Sequence, residues 1–275
     1  MNDAAIVARN LRLVREKGPL VHNITNYVVM NTTANALLAV GASPIMAHAI
    51  EEIGDLIGIA DALVLNIGTL SASWVASMRK AGEAARIRAL PTVLDPVGVG
   101  ASRMRTETAL ALLDAARPAV VRGNPSEILA LARAAGCSEE RAGTKGVDSV
   151  HTADAARSAA QALAKRHACT VVVSGPTDLV TDGESTVFLT GGSPLMPRVT
   201  GMGCTASALV GAFATVAESP LEAAVSAMAV MSGAGEIAAL HAGGPGSFQV
   251  HFLDALYTLA ETDLARSLHL TREES

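Results

Sequence analysis

Cys204 is the side chain in this sequence most open to covalent chemistry. It stands in Val199-Thr200-Gly201-Met202-Gly203-Cys204, ahead of an Ala-rich run that reads as a helix from Cys204 to Ala217. A thiol at a helix N-terminus is expected to be acidified, and so to be a candidate nucleophile. A cysteine nucleophile of acyl transfer wants a positioned histidine. His22, His48, His151, His167, His241 and His251 are available, and spacing pairs none of them with Cys204. The same turn also suits an anion. Gly201 and Gly203 allow a sharp bend and a close approach of backbone to ligand. The helix behind them offers free N–H groups and the positive end of its dipole. Gly201, Met202, Gly203 and Cys204 are therefore a candidate phosphate-binding hole. A plain helix start, with glycines relieving strain, accounts for the same residues.

A second set of residues fits a nucleotide and its counter-ion. Asp95 at a strand end and Glu127 in Asn124-Pro125-Ser126-Glu127 suit Mg²⁺, which takes a few carboxylates and keeps several waters. Equally, Asp95 caps a turn and Glu127 is a favoured first-turn acid. Arg122 can clamp a phosphate with its planar fork, or form a surface ion pair. Lys145, in a glycine-bearing loop, can reach a terminal phosphate or simply be solvated. Ser174 ends the strongest strand and can donate to a nucleotide or begin a turn.

Those residues need elements to position them. Asp3 to Lys17 reads as an amphipathic helix ended by Gly18-Pro19. Pro19 to Tyr27 is polar and irregular, and reads as a loop capping a helix from Val28 to Val40. Short apolar strands then alternate with helices. The strands are Ala42–Met46, Ala62–Asn66, Pro91–Asp95, Ala119–Arg122 and Thr170–Gly175. The intervening helices are Ile50–Ala60, Ser71–Arg88, Thr106–Ala116, Pro125–Ala135 and Ala153–Lys165. This alternation predicts a parallel sheet covered on both faces. The polar residues Asn66, Asp95 and Arg122 close their strands, and open α/β sheets bind ligands outside those carboxyl ends. Asp182-Gly183 predicts a two-residue hairpin between Asp178–Thr181 and Ser185–Thr190. Antiparallel strands thus join late. Helices are read from Leu221 and from Ser247, and the tail after Leu268 reads as polar and frayed.

Composition excludes other classes. The 275 residues are half hydrophobic with few aromatics. A chain of this length can bury roughly three-quarters of its unfolded surface. A net charge of −5 with no basic block argues against nucleic acid. Three scattered cysteines suit a reducing, cytoplasmic setting rather than a disulfide framework. The run from Gly203 to Ala217 is too short to span a bilayer, so no membrane is expected. No repeat or linker divides the chain, and residues 1–275 read as one domain.

Six motifs occur in order and at natural spacing between about His22 and Phe252. They are His22-Asn23-Ile24-Thr25-Asn26, Gly41-Ala42-Ser43-Pro44-Ile45-Met46, Ala62–Thr69, Asp95-Pro96-Val97-Gly98, Arg122–Glu127 and Val199–Cys204. Together they resemble the hydroxyethylthiazole kinase family of thiamine salvage. That resemblance implies a ribokinase-like α/β fold and transfer of the ATP γ-phosphate to the alcohol of 4-methyl-5-(2-hydroxyethyl)thiazole. It implies Met46 and Gly201 on the thiazole, with Asn26 beside them. Arg122 and Ser174 would bind ATP, with Asn124 and Lys145 near it, and Asp95 and Glu127 would organise Mg²⁺. It also implies a homotrimer with active sites between subunits, where Asn26 and Tyr27 lie near Met46 of a neighbour. Cys204 stands where many ribokinase-like enzymes carry an aspartate base. It is then either a modest base or only part of the turn. Met202 departs from the small or polar residue usual between the glycines. Two rivals share these features: a nucleotide-dependent dehydratase of a hydrated nicotinamide cofactor, and a non-catalytic binding protein.

Overall fold

A computed structural model describes residues 3–137 and 149–274. The chain begins with α1 (Asp3–Lys17), β1 (Leu20–Ile24), α2 (Met30–Val40) and β2 (Ser43–Ile45). Helix and strand then alternate through α3 (Ile53–Ile59), β3 (Ala62–Asn66), α4 (Ala72–Ile87), β4 (Thr92–Asp95), α5 (Arg103–Ala116), β5 (Val120–Gly123), α6 (Pro125–Ala134), α7 (Ser149–His167) and β6 (Thr170–Val173). β7 (Thr177–Thr181) and β8 (Ser185–Thr190) form a hairpin, followed by α8 (Met202–Phe213), α9 (Pro220–His241), α10 (Pro245–Thr258), α11 (Glu261–Ser267) and β9 (His269–Glu274).

Among the described residues, nine strands join one sheet in the order β2-β1-β3-β4-β5-β6-β7-β8-β9. β2 through β6 are mutually parallel, and β7, β8 and β9 add antiparallel. β3, β4 and β6 are buried along their whole length, which is why they read as largely apolar runs. Side chains alternate between two layers. Val64, Val93 and Val172 pack with α1, α2 and α8 to α11. Leu63, Leu65, Leu94 and Val171 pack with α3 to α7. Each fully buried leucine contributes about 1.5–3 kcal/mol. The helix starts are written locally. Ser71, Ser102 and Ser219 cap α4, α5 and α9, and Asn124 and Glu127 close a capping box on α6.

Four sequence readings change. The segment read as a loop from Pro19 to Tyr27 contains β1, with His22 and Asn23 wholly buried. Polar side chains hid a strand that sits between β2 and β3. The tail read as frayed is β9, paired with β8 from Ser185 to Thr190. It ends in three charged residues, Arg272, Glu273 and Glu274, which an edge strand can carry. The hairpin tip is shifted by one residue. Asp182 N–H donates to Ser185 O, so Gly183 and Glu184 turn the chain, with Gly183 at φ +97°. Finally, α8 starts at Met202 and stops at Phe213, short of Ala217.

Among the described residues, α9 alone has the length and apolarity to cross a membrane, and 72% of its apolar window is buried inside the protein. It packs against α10, α8 and α1 as a core helix.

Candidate active site

The strand ends Asn66, Asp95 and Arg122 meet the N-terminus of α8, as the parallel topology requires. Gly201 is the residue before α8, at φ +85°. A Cβ there would lie 2.7 Å from Val29 Cγ1. Both conformation and space therefore demand glycine. The first intrahelical bond runs from Thr205 N–H to Gly201 O at 2.8 Å. The amides of Met202, Gly203 and Cys204 precede that ladder and are the helix's free donors.

Arg122 lies across this first turn. A Cβ on Gly203 would come within 2.5 Å of Arg122 Nη1. The missing side chain thus lets the guanidinium approach the helix backbone. Arg122 Nε donates to Ser174 Oγ at 2.9 Å, and Nη1 stands 3.9 Å from Asp95 Oδ2. The guanidinium is mostly buried rather than part of a surface pair.

Asp95 is wholly buried at the end of β4. Its Oδ2 accepts from Ser207 Oγ at 2.7 Å and from Asn66 Nδ2 at 2.9 Å. Its Oδ1 has no partner. Burial pushes this carboxyl up to about 6, against the opposing pull of Arg122. Asn66 Oδ1 in turn accepts from Asn26 Nδ2 at 2.8 Å. Arg105 fixes the loops that carry these groups. It donates to the carbonyls of Ile67, Val97 and Gly68 at 2.6–2.7 Å.

Glu127 bridges the turn after β4 and the turn after β5. Its Oε2 accepts from Asn124 N–H at 2.8 Å and its Oε1 from Gly98 N–H at 2.9 Å. Asn124 spends its own side-chain oxygen on Glu127 N–H.

Cys204 is partly buried, and its Sγ accepts from Asn26 Nδ2 at 3.5 Å. Its expected acidity is overturned. Burial and then the Asp95 charge push the thiol up to about 11, and Asn66, Asn26 and Arg122 only partly offset them. Three free amides do not outweigh a desolvated neighbour of a carboxylate. No histidine hydrogen-bonds Cys204 among the described residues. His22 is buried, with Nε2 2.9 Å from Ala47 O, and desolvation lowers its pKa.

A cavity of about 640 Å³ opens beside the turn. Its lining includes the polar Arg122, Asn124 and Ser174, together with Gly203, and the apolar Met196, Met228 and Met231. Asp178 also faces it. Gly201, Met202, Asn124 and Ser174 are thus brought together with Arg122. Met46 is not. It packs half-buried beyond β2 on the α1–α2 side, outside the cavity lining. Nearby, Tyr27 is 63% exposed and meets Trp74 edge-on at 4.5 Å, while His48 stacks on Trp74 at 3.7 Å and meets Tyr27 edge-on at 6.4 Å. Lys145 lies outside the described residues. No group of three or more His, Cys, Asp or Glu occurs among the described residues.

Sequence reasoning missed Ser207, Arg105 and Asp178. Ser207 is three residues beyond Cys204, on the same face of α8, a spacing that pointed to it. Arg105 and Asp178 gave no local signal, since both act across loops.

This fold, with its helix N-terminus at the carboxyl ends of the strands, defines a protein of the ribokinase-like class. Pyridoxal kinase from Staphylococcus aureus, solved with AMP-PCP and pyridoxal, superposes with a TM-score of 0.65 at 18% identity over 94% of this chain and 99% of that one. That likeness is one of fold. The profile of the Hydroxyethylthiazole kinase family matches residues 11–262, and the chain belongs to that family. It is 61% identical over 264 residues to hydroxyethylthiazole kinase of Nitratidesulfovibrio vulgaris (strain Miyazaki F), covering 96% of this chain and 97% of that one. It is 55% identical to the Oleidesulfovibrio alaskensis enzyme of the same name, over 99% and 100% of the two chains. The structure of hydroxyethylthiazole kinase from Pyrococcus horikoshii superposes with a TM-score of 0.90 at 43% identity, over 98% and 100%.

Proposed function

We propose that the protein transfers the γ-phosphoryl group of ATP to the primary alcohol of 4-methyl-5-(2-hydroxyethyl)thiazole, a thiamine salvage step. The observation that carries this is Arg122 laid against Gly203, so that one guanidinium and three free amides converge on one spot. Phosphoryl transfer asks for positioning and charge neutralisation more than covalent chemistry. Arg122 and the turn Gly201, Met202, Gly203 and Cys204 hold the transferring group. Ser174 and Asn124 flank the rest of the triphosphate. The methionines of the cavity lining take the base.

Asp95 and Glu127 fit a hydrated Mg²⁺. Asp95 Oδ1 is buried without a partner, and Glu127 stands across the adjacent turn. The ion supplies neutralisation of phosphate charge when bound. Asn26, Met46 and Gly201 take the thiazole. The separation of Met46 from the cavity, and the exposure of Tyr27 and Val28, support a homotrimer whose sites lie between subunits. The high thiol pKa of Cys204 favours a role in shaping the turn over proton removal. The family's soluble kinases suit a cytoplasmic setting.

The test is ADP release with ATP, Mg²⁺ and a panel of alcohols. Release that requires the thiazole alcohol supports the reading. Release indifferent to it, or stimulated instead by a hydrated nicotinamide cofactor, overturns it. The named relatives lend the dehydratase rival no support.

A further inference from the structure

Asp178 is a carboxylate in a cavity that must accept a polyanion. It is the second residue of β7, opposite Leu189 of β8, and it lines the same cavity as Arg122 and Ser174. Its Oδ1 accepts from Gly175 N–H at 2.9 Å, closing the turn between β6 and β7. Its Oδ2 takes no hydrogen bond among the described residues. Arg122 does not occupy it, because that guanidinium pairs with Asp95 and donates Nε to Ser174.

The turn explains an acceptor here but not a charge. Asparagine makes the same side-chain turn with its Oδ1. The charge also carries a cost, since burial pushes the carboxyl up to about 6. Something in the bound state must use the second oxygen. A carboxylate only accepts hydrogen bonds, and it repels phosphate. The donors that ATP offers are its ribose hydroxyls and its exocyclic amine.

Position chooses between them. Asp178 accepts from Gly175, the residue after Ser174, and Ser174 Oγ takes the Arg122 Nε, so the carboxylate stands near the cation that would meet the phosphates. The sugar is the part of a nucleotide covalently next to its phosphates. We infer that Asp178 holds the ribose of the nucleotide, its free carboxylate oxygen accepting from a sugar hydroxyl. This rests on the reading of the cavity as the ATP site. It makes Asp178 a specificity residue that separates ribonucleotides from deoxy analogues.

The experiment is nucleotide binding by calorimetry, without thiazole, so that turnover plays no part. The ligands are ATP, 2′-deoxy-ATP and 3′-deoxy-ATP, each with and without Mg²⁺. The proteins are wild type and Asp178→Asn, which keeps the acceptor for Gly175. A charge-assisted hydrogen bond predicts that wild type prefers ATP over at least one deoxy analogue by about tenfold or more. Asp178→Asn should weaken ATP to the level of that analogue and leave the analogue's affinity unchanged. The preference should persist without Mg²⁺.

Equal binding of all three ligands by wild type overturns the inference without recourse to any variant. So does an equal loss for all three in Asp178→Asn, which would mark a role in base binding or in the fold. Discrimination seen only with Mg²⁺ overturns it too, by assigning Asp178 to the metal. Failure of wild type to bind ATP at all rejects the nucleotide reading of the cavity and this inference with it. The first three outcomes leave that reading standing.

Discussion

Ser207 Oγ donates to Asp95 Oδ2 at 2.7 Å, and this bond ties the second turn of α8 to the end of β4. It couples the helix that presents the free amides to the strand that presents the acid. In Ser207→Ala, Asp95 keeps only Asn66 as a donor on that oxygen. Loss of a partner to a buried charged acceptor costs about 1–3 kcal/mol. Urea unfolding should show that loss, and kcat should fall while the KM for the thiazole changes little. Unchanged stability would remove the bond from the account of how α8 is held.

Arg122→Ala should raise the KM for ATP or lower kcat, with thiazole binding little affected. Arg122→Lys should rescue only in part. A point charge cannot both cross the first turn of α8 and donate Nε to Ser174. Steady-state kinetics with each substrate varied in turn decides this. Full rescue by lysine would reduce the role of Arg122 to simple charge attraction.

Cys204 should stay a thiol across neutral pH, because burial and Asp95 lift it to about 11. Its alkylation by iodoacetamide, followed by mass spectrometry, should climb about tenfold per pH unit with no plateau below pH 9. Cys204→Ala and Cys204→Ser should keep measurable kinase activity, and Cys204→Asp should be at least as active as either. No phosphocysteine should form. Recovery of labelled enzyme after incubation with γ-labelled ATP, or a dead alanine variant that still binds ATP, would reverse this assignment.

Asp178 sets a pH dependence of stability whose sign follows from its raised pKa. Folding lifts the carboxyl from its ordinary 3.8 to about 6. Between those values the folded protein holds a proton that the unfolded chain has released. The ionised form is therefore penalised by folding, and wild type loses stability as pH rises from 4 to 6. Asp178→Asn escapes the penalty. It should be more stable than wild type at pH 7 by about 3 kcal/mol at most. The gap should close as pH falls below 4. Thermal unfolding of both proteins from pH 4 to 8 measures it. A constant gap across that range would show that the carboxyl carries no such penalty.

The sequence shows the sheet where strands are apolar and hides it where they are not. Ala62–Asn66 is read at its observed bounds, and Thr170–Gly175 overruns the observed end at Val173 by two residues, because burial on both faces writes a mostly apolar run. β1 escapes because His22 and Asn23 are buried polar residues, and a periodic reading takes them for a loop. β9 escapes because an edge strand can carry Arg272 and Glu273. The site is legible in Asp95, Arg122 and the Gly201 turn, since topology gathers strand ends on one side. It is illegible at Arg105, whose three carbonyl contacts span loops distant in sequence. The acidity expected of Cys204 fails for a related reason. A helix N-terminus is a local feature, whereas the burial and the Asp95 charge that oppose it come from the tertiary fold.

The two outer strands of the sheet bear on how copies of this protein avoid one another. An unpaired strand edge is a template for adding a foreign strand, the first step of amyloid-like growth. Here one border is β2, three residues long with Pro44 at its centre, a residue that cannot donate to a new ladder. The other is β9, where Arg272 reaches to Asp3 and Glu273 to Arg157, so that charge and its pairing line the rim. Strand addition is thus discouraged at both borders. Copies that associate must do so through helices and loops, and a crowded solution of this enzyme should resist fibril formation even though β3 and β6 inside the sheet are mostly Val, Leu and Ala.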